Sequence, residues 1–178
     1  MKERLIRSII EGTKQVFQTM LSLDPIPGEP KESKKNSMKV SGITGIIGFA
    51  GEEGSCVLYI KCTDDVAEML ASRMLGTEFN GMSEEVRDVL GEIANMISGN
   101  VNSFLSEMGL EFKLSIPTII SGEGYEIDMG DENLCSLWIP FRFDGGEFDI
   151  IFAISLKRSS YMVRSATFDD KPHHLPAV

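Results

Sequence analysis

Glu92 and Asn95 stand three residues apart in the segment LGEIANMISGN, residues 90–100. A carboxylate offers charge and hydrogen-bond acceptors, and a primary amide offers donors and an acceptor without a proton to trade near neutral pH. On a helix, positions i and i+3 emerge side by side, so the two groups can act on one target. They can bind, orient and pair charge. Glu-x-x-Asn occurs once in the 178 residues, against roughly half a match expected by chance, so the pair needs context. Histidine chemistry is absent from the globular part, because both histidines, His173 and His174, fall in the last six residues. This excludes Ser-His-Asp and Cys-His catalysis and His-based zinc sites there. Glu84, Glu85, Asp88 and Glu92 raise a carboxylate metal centre, but they lack histidine partners and read as a solvated acidic face.

The element that must position the pair is a helix from Ser83 to about Met108, with Gly109 as its stop. Glu84 and Glu85 fall in its first turn, where the helix dipole favours anions. At about 100° per residue, Val86, Leu90, Ile93, Ile97, Val101, Phe104 and Met108 form a core stripe. Asp88, Glu92, Asn95, Gly99, Asn102 and Ser106 share the opposite ridge. An exposed face ordinarily carries long charges of both signs, yet no lysine or arginine follows Arg87 on this helix. Gly91, Ser98, Gly99, Asn95, Asn100 and Asn102 are weak helix formers, each costing up to about 1 kcal/mol relative to alanine. Close approach of another macromolecule explains small polar residues there; packing on a neighbouring helix of the same chain is the other explanation for the glycines.

The remaining elements follow from periodicity and breakers. Residues 3–23 form an amphipathic helix, ended by the prolines of residues 24–30, and residues 31–37 continue a polar connector. Met38–Ala50 and Ser55–Cys62 make a hairpin around Gly51–Gly54, and Thr63 or Asp64 caps a short helix to Leu75 with Gly76 as its stop. Leu110–Ile127 is a strand region broken at Pro117 and at Gly122–Gly124. Asn133–Phe143 and Glu147–Leu156 form a second hairpin. The fold class is α+β: an antiparallel or mixed sheet with two long helices and one short helix packed on it. One domain spans 1–160, and 161–178 form a tail. The apolar stretches at Ile43–Phe49 and Trp138–Phe141 must be paired or covered if they lie at a sheet edge.

The segment Met82–Gly124 resembles the CheC/CheX/FliY family of chemotaxis phosphatases. That family's signature is an acid or serine, then Glu and Asn at the present spacing, then a proline about 22 positions on; here these are Asp88, Glu92, Asn95 and Pro117. One copy of the motif is present, as in CheX, rather than the two of CheC members. The resemblance implies a phosphatase that hydrolyses the aspartyl phosphate of a response-regulator receiver domain of the CheY type. Asn95 would orient the attacking water, as a glutamine amide does in GTPases, and Glu92 would pair with the receiver's lysine. Asp88, Gly99 and Asn102 would contact the partner, and Pro117 would be structural. No cofactor is expected on this chain, Mg²⁺ being supplied in the receiver. A homodimer, possibly by sheet continuation, is implied as well. The alternative is a module that binds a receiver or flagellar switch component with the same face and hydrolyses nothing.

Charge and composition limit other partners. The net charge is −10, which disfavours nucleic acid and anionic membranes, both of which require clustered positive charge. Residues 1–24 lack the apolar run of a signal peptide, and Cys56, Cys62 and Cys135 are scattered, as reduced thiols of a cytoplasmic protein are.

Overall fold

The computed structural model describes residues 2–33, 37–129 and 135–156. Helix α1 (Lys2–Val16) carries Glu3 in its first turn and Lys14 in its last, complementing the helix dipole. It runs into a π-helical turn at Phe17–Leu21, closed by Ser22 in the left-handed region. That turn stacks the Phe17 ring on Phe148 at 4.4 Å between centroids, and Phe148 stacks in turn on Phe141 at 5.0 Å. Then come β1 (Ile26–Pro27), β2 (Lys31–Ser33), β3 (Ser37–Gly51), β4 (Gly54–Cys62), α2 (Asp64–Leu75), α3 (Glu84–Glu107), β5 (Lys113–Leu114), β6 (Thr118–Asp128), β7 (Cys135–Phe143) and β8 (Gly146–Leu156).

All strand pairings are antiparallel among the described residues, in the order β7-β8-β4-β3, with β1 and β2 on the outer side of β7 and β5 and β6 on the outer side of β3. The stretch expected to be a connector over 24–37 therefore holds two short strands. Backbone pairing with β7 holds much of this stretch: Gly28 N–H donates to the Pro140 carbonyl at 2.7 Å and Ser136 Oγ donates to the Ser33 carbonyl at 3.0 Å, while Lys2 forms an ion pair with Glu32. Ile43–Phe49 and Trp138–Phe141 are inner strands rather than edges, each flanked on both sides. The N-terminal helix packs on α3.

The first hairpin and the short helix form as read, with Thr63 at the N-cap position of α2 but making no side-chain capping bond. The second hairpin forms from Cys135 onward, with Asn133 and Leu134 lying outside the described residues. Gly76 takes φ +70° at the end of α2 and Gly109 φ +78° after α3, conformations that glycine adopts without steric cost. The break at Gly122–Gly124 is a bulge: between the pairs Val40–Tyr125 and Gly42–Gly122, β6 carries one residue more than β3. The tail 161–178, with His173 and His174, lies outside the described residues.

The main core lies between the helices and one sheet face, where Ile43, Ile47, Leu58, Ile60, Ile150 and Phe152 meet Ile9, Leu70, Ile93 and Ile97. Alternate residues of the same strands build a second core on the far face, from Met38, Val40, Tyr59, Ile151 and Ala153. Helix α3 packs on α1, α2 and the sheet. Its buried set is therefore wider than the expected stripe and includes Val89, Gly91, Ala94, Ser98 and Leu105. Phe104 is half-buried, with the Arg4 guanidinium 5.5 Å above its ring, and Met108 is the half-buried cap residue.

Candidate functional site

The ridge of α3 is built by what fixes the helix on its other sides. Ser83 Oγ accepts from Val86 N–H at 3.4 Å and caps the N-terminus. Arg87 Nη1 donates to Ser121 Oγ at 2.6 Å, tying the first turn to β6. Gly91 forms a notch for Pro117, since a Cβ there would lie 3.3 Å from Pro117 Cβ. Ala94 lies against the sheet at Gly45, where a Cβ would approach it to 3.4 Å. Asn100 Nδ2 donates to the Gly12 carbonyl of α1 at 3.2 Å, and Asn102 Nδ2 donates to the Phe112 carbonyl at 3.1 Å. These contacts leave one strip of the helix uncommitted.

Asp88 and Glu92 are exposed on that strip and Asn95 and Gly99 are half-buried along it, while Asn102, half-buried and tied to Phe112, closes its end. Neither carboxylate is ion-paired among the described residues, and Arg87, the one cation of α3, is turned to Ser121. The three asparagines divide sharply. Asn100 and Asn102 spend their amide nitrogens inside the fold, whereas the Asn95 amide has no hydrogen-bond partner among the described residues. Its oxygen and nitrogen are presented outward beside Glu92.

The glycines also divide. Gly91 serves internal packing, with a proline rather than a helix as its partner. A Cβ on Gly99 would meet nothing within 4 Å, so nothing among the described residues requires glycine there. Pro117 fills the break between β5 and β6 and braces the middle of α3. No group of three or more His, Cys, Asp or Glu among the described residues is placed to hold a metal ion. The arrangement is an acidic strip with one free amide on a braced helix. It can orient a small molecule or pair with a cation brought to it.

The sequence profile of the chemotaxis phosphatase CheX matches residues 43–142, more than half of the chain, from β3 through the ridge to β7. The chain belongs to the CheX family. It is 26% identical over 127 residues to the CheY-P phosphatase CheX of Thermotoga maritima, covering 71% of this chain and 81% of that one. The crystal structure of a chemotaxis protein CheX from Desulfovibrio desulfuricans is 30% identical, with a TM-score of 0.75, covering 85% of this chain and 99% of that one. A CheX-CheY-BeF₃-Mg²⁺ complex from Borrelia burgdorferi contains a chain 26% identical to this one, with a TM-score of 0.66, covering 84% and 96%. The CheX match spans both the motif helix and the hairpin that carries it. Two residues that shape the CheX-like ridge here stand out in the sequence as weak helix formers, but nothing in it names their partners. Asn100 is one more polar residue on a polar helix until Gly12 is known to lie beneath it, and the Gly91 notch depends on Pro117, 26 positions later.

Proposed function

We propose that this CheX-family chain is a protein phosphatase acting on the aspartyl phosphate of a CheY-type receiver domain, with Asn95 orienting the attacking water. Membership in the family and similarity to a CheY-P phosphatase support the activity. The observation that carries the residue assignment is the uncommitted Asn95 amide, on a helix whose other asparagines are tied inward. An acyl phosphate is already reactive, so hydrolysis needs a placed water more than a strong base, and phosphoryl transfer is governed by positioning and electrostatics. In this scheme the Asn95 Oδ1 accepts a hydrogen bond from the water while Nδ2 faces a phosphoryl oxygen. The water oxygen bonds to phosphorus, the bond from phosphorus to the aspartyl oxygen breaks, and inorganic phosphate and the free carboxylate result. A water proton leaves with the phosphate or to solvent.

Glu92, one turn of ridge away, pairs with a lysine of the receiver. A charge-assisted hydrogen bond formed on docking fixes register and penalises partners without the cation. Asp88 and Gly99 extend the docking face, and Asn102, its amide held by Phe112, ends it. Mg²⁺ belongs to the receiver, in keeping with its presence in the CheX-CheY complex named above. No helix of the described residues is long and apolar enough to cross a membrane, and the cytoplasm is where a CheY-type receiver would be met. Among the described residues β6 has strand partners on its β3 side alone, and that open edge is where we place sheet continuation in a homodimer; a monomer in sedimentation would refute it.

The test of the assignment is phosphate release from a phosphorylated receiver by wild type and by Asn95→Ala. Hydrolysis should fall on the order of 10²- to 10⁴-fold, the worth of a partial alignment of reactants, with receiver binding little changed. Full activity of Asn95→Ala would refute the water-orienting role. A receiver whose phosphate lifetime is unchanged when saturated with wild-type protein would instead favour the non-catalytic binding module.

A further inference from the structure

Ile116 is an anomaly beside the ridge. Its side chain is 84% exposed, more than the other large exposed apolar residues, Met20, Ile26 and Leu75, which lie in the π turn, β1 and α2. Single exposed apolar residues are common and by themselves mean little. Two features set this one apart: it is held rigidly, and it is held next to the proposed site.

The rigidity is local and fully bonded. Ser115 N–H donates to the Gly48 carbonyl at 2.8 Å, Gly48 N–H donates to Ser115 Oγ at 2.9 Å, and Ser115 Oγ donates to the Ile116 carbonyl at 2.8 Å. This clamps the residue before Ile116 to β3. On the other side, Pro117 fixes its own φ and restricts Ile116 to extended backbone. Pro117 is seated in the notch at Gly91. Ile116 is thus a pre-positioned apolar knob rather than the tip of a floppy loop, and little entropy is lost when a partner covers it.

The placement follows from the same contact. Gly91 immediately precedes Glu92 and lies one helical turn, about 6 Å of rise, before Asn95. Ile116 adjoins Pro117, and Pro117 touches the helix at the residue before Glu92, so a domain seated on Glu92 and Asn95 comes down beside Pro117 and Ile116. We infer that Ile116 is a docking and specificity residue that is buried, on complex formation, against apolar surface bordering the receiver's phosphorylation site. The inference rests on the reading of the ridge as a receiver-docking face. It adds an uncharged contact to a strip whose other determinants are acidic, so receivers are sorted by an apolar patch as well as by a lysine. Ile116 touches no reacting atom and belongs to binding alone.

The experiment measures steady-state phosphate release, with a CheY-type receiver as substrate, for wild type, Ile116→Ala, Ile116→Asp and Ile116→Val, together with thermal unfolding of each. Losing the buried aliphatic contact in Ile116→Ala should raise KM roughly tenfold, the size expected for a side chain of this area. Ile116→Asp should raise KM further, and Ile116→Val should recover most of the loss. The value of kcat should not change, and the unfolding midpoints should match wild type, because the side chain makes no core contact to lose. An unchanged KM in Ile116→Asp, with wild type active, would overturn the inference and leave the phosphatase reading standing. A KM change accompanied by a matching fall in unfolding midpoint would assign Ile116 a structural role and overturn it as well. Absence of hydrolysis by wild type on any receiver would remove the phosphatase reading and this inference together.

Discussion

An amide can assist hydrolysis solely through where it places its donors and its acceptor, and this makes Asn95 testable by isosteres. Asn95→Asp keeps the shape and the acceptor but replaces the NH₂ donors with charge that repels phosphoryl oxygens. Its hydrolysis rate should fall at least as far as that of Asn95→Ala; a near-wild-type rate would mean that the residue works as a base or not at all. Glu92→Gln removes charge with the shape retained, and a desolvated charged hydrogen bond contributes about 1.5–3 kcal/mol. The expected outcome is a KM about tenfold or more above wild type, a difference that vanishes against a receiver whose active-site lysine has been replaced. At this scale the sequence was informative about which groups face outward and silent about which are already spent. The placing of Glu92 and Asn95 on one outward strip was legible because 3.6-residue geometry sets which residues are neighbours there, while their proposed roles came from the family resemblance. The commitment of Asn100 was not legible, because its acceptor, the Gly12 carbonyl, lies 88 residues away in sequence.

A helix that serves a docking face carries a stability cost that its own residues reveal. Gly99 has helical backbone and open space where a Cβ would project. Gly99→Ala should therefore stabilise the protein, by up to about 1 kcal/mol from helix propensity and reduced unfolded-state entropy. The same methyl would stand between the ridge and a docked receiver, so KM should rise while the unfolding midpoint rises. Gly91→Ala should do the reverse on stability, since its Cβ would press to 3.3 Å from Pro117 Cβ and force the brace to shift. Thermal unfolding and phosphate-release kinetics on the two variants separate a glycine kept for a partner from one kept for the fold; two destabilised proteins would refute the distinction. The elements themselves were legible where one chain segment holds its own pattern, as in α3, α2 with Gly76, and both hairpins. They were not legible at β1 and β2, short segments with no strand pattern of their own that pair because β7 offers an edge. Nor was the second face of burial on α3, where Val89, Gly91, Ala94 and Ser98 are covered because three elements converge on one helix.

At the scale of the whole molecule, the sheet buries both faces by curling. Strands β3 and β7 are three steps apart, about 14 Å in a flat sheet. Yet Met38 and Lys39 of β3 and Ser136 and Trp138 of β7 line one cavity of about 340 Å³. The Lys61 ammonium, paired with Asp149 at 3.1 Å, sits 4.8 Å above the Trp138 ring on the same face. On its helix-facing side β4 carries Cys56, Leu58, Ile60 and Cys62 into the main core, and its thiols record this. Burial pushes Cys56 from 9.0 up to about 12, and burial, aided by the charges of Asp64 and Asp149, does the same for Cys62. Below pH 9 the thiols are protonated in both the folded and unfolded chains and stability is unaffected. Above it the unfolded chain releases protons that the folded one retains. Stability then falls with rising pH, by up to about 1.4 kcal/mol per pH unit for each thiol, until the folded values are reached. Tyr59 and Tyr125, whose phenols burial also raises, add to the fall at higher pH. Self-repulsion of a chain with net charge −10 acts in the same direction, so the thiol contribution is isolated by difference. Chemical denaturation of wild type and of the Cys56→Ala/Cys62→Ala double variant from pH 8 to 10.5 should give curves that diverge above pH 9, with wild type losing stability more steeply. Parallel curves would mean that water reaches the helix-facing side of β4 and that its two thiols are not desolvated there.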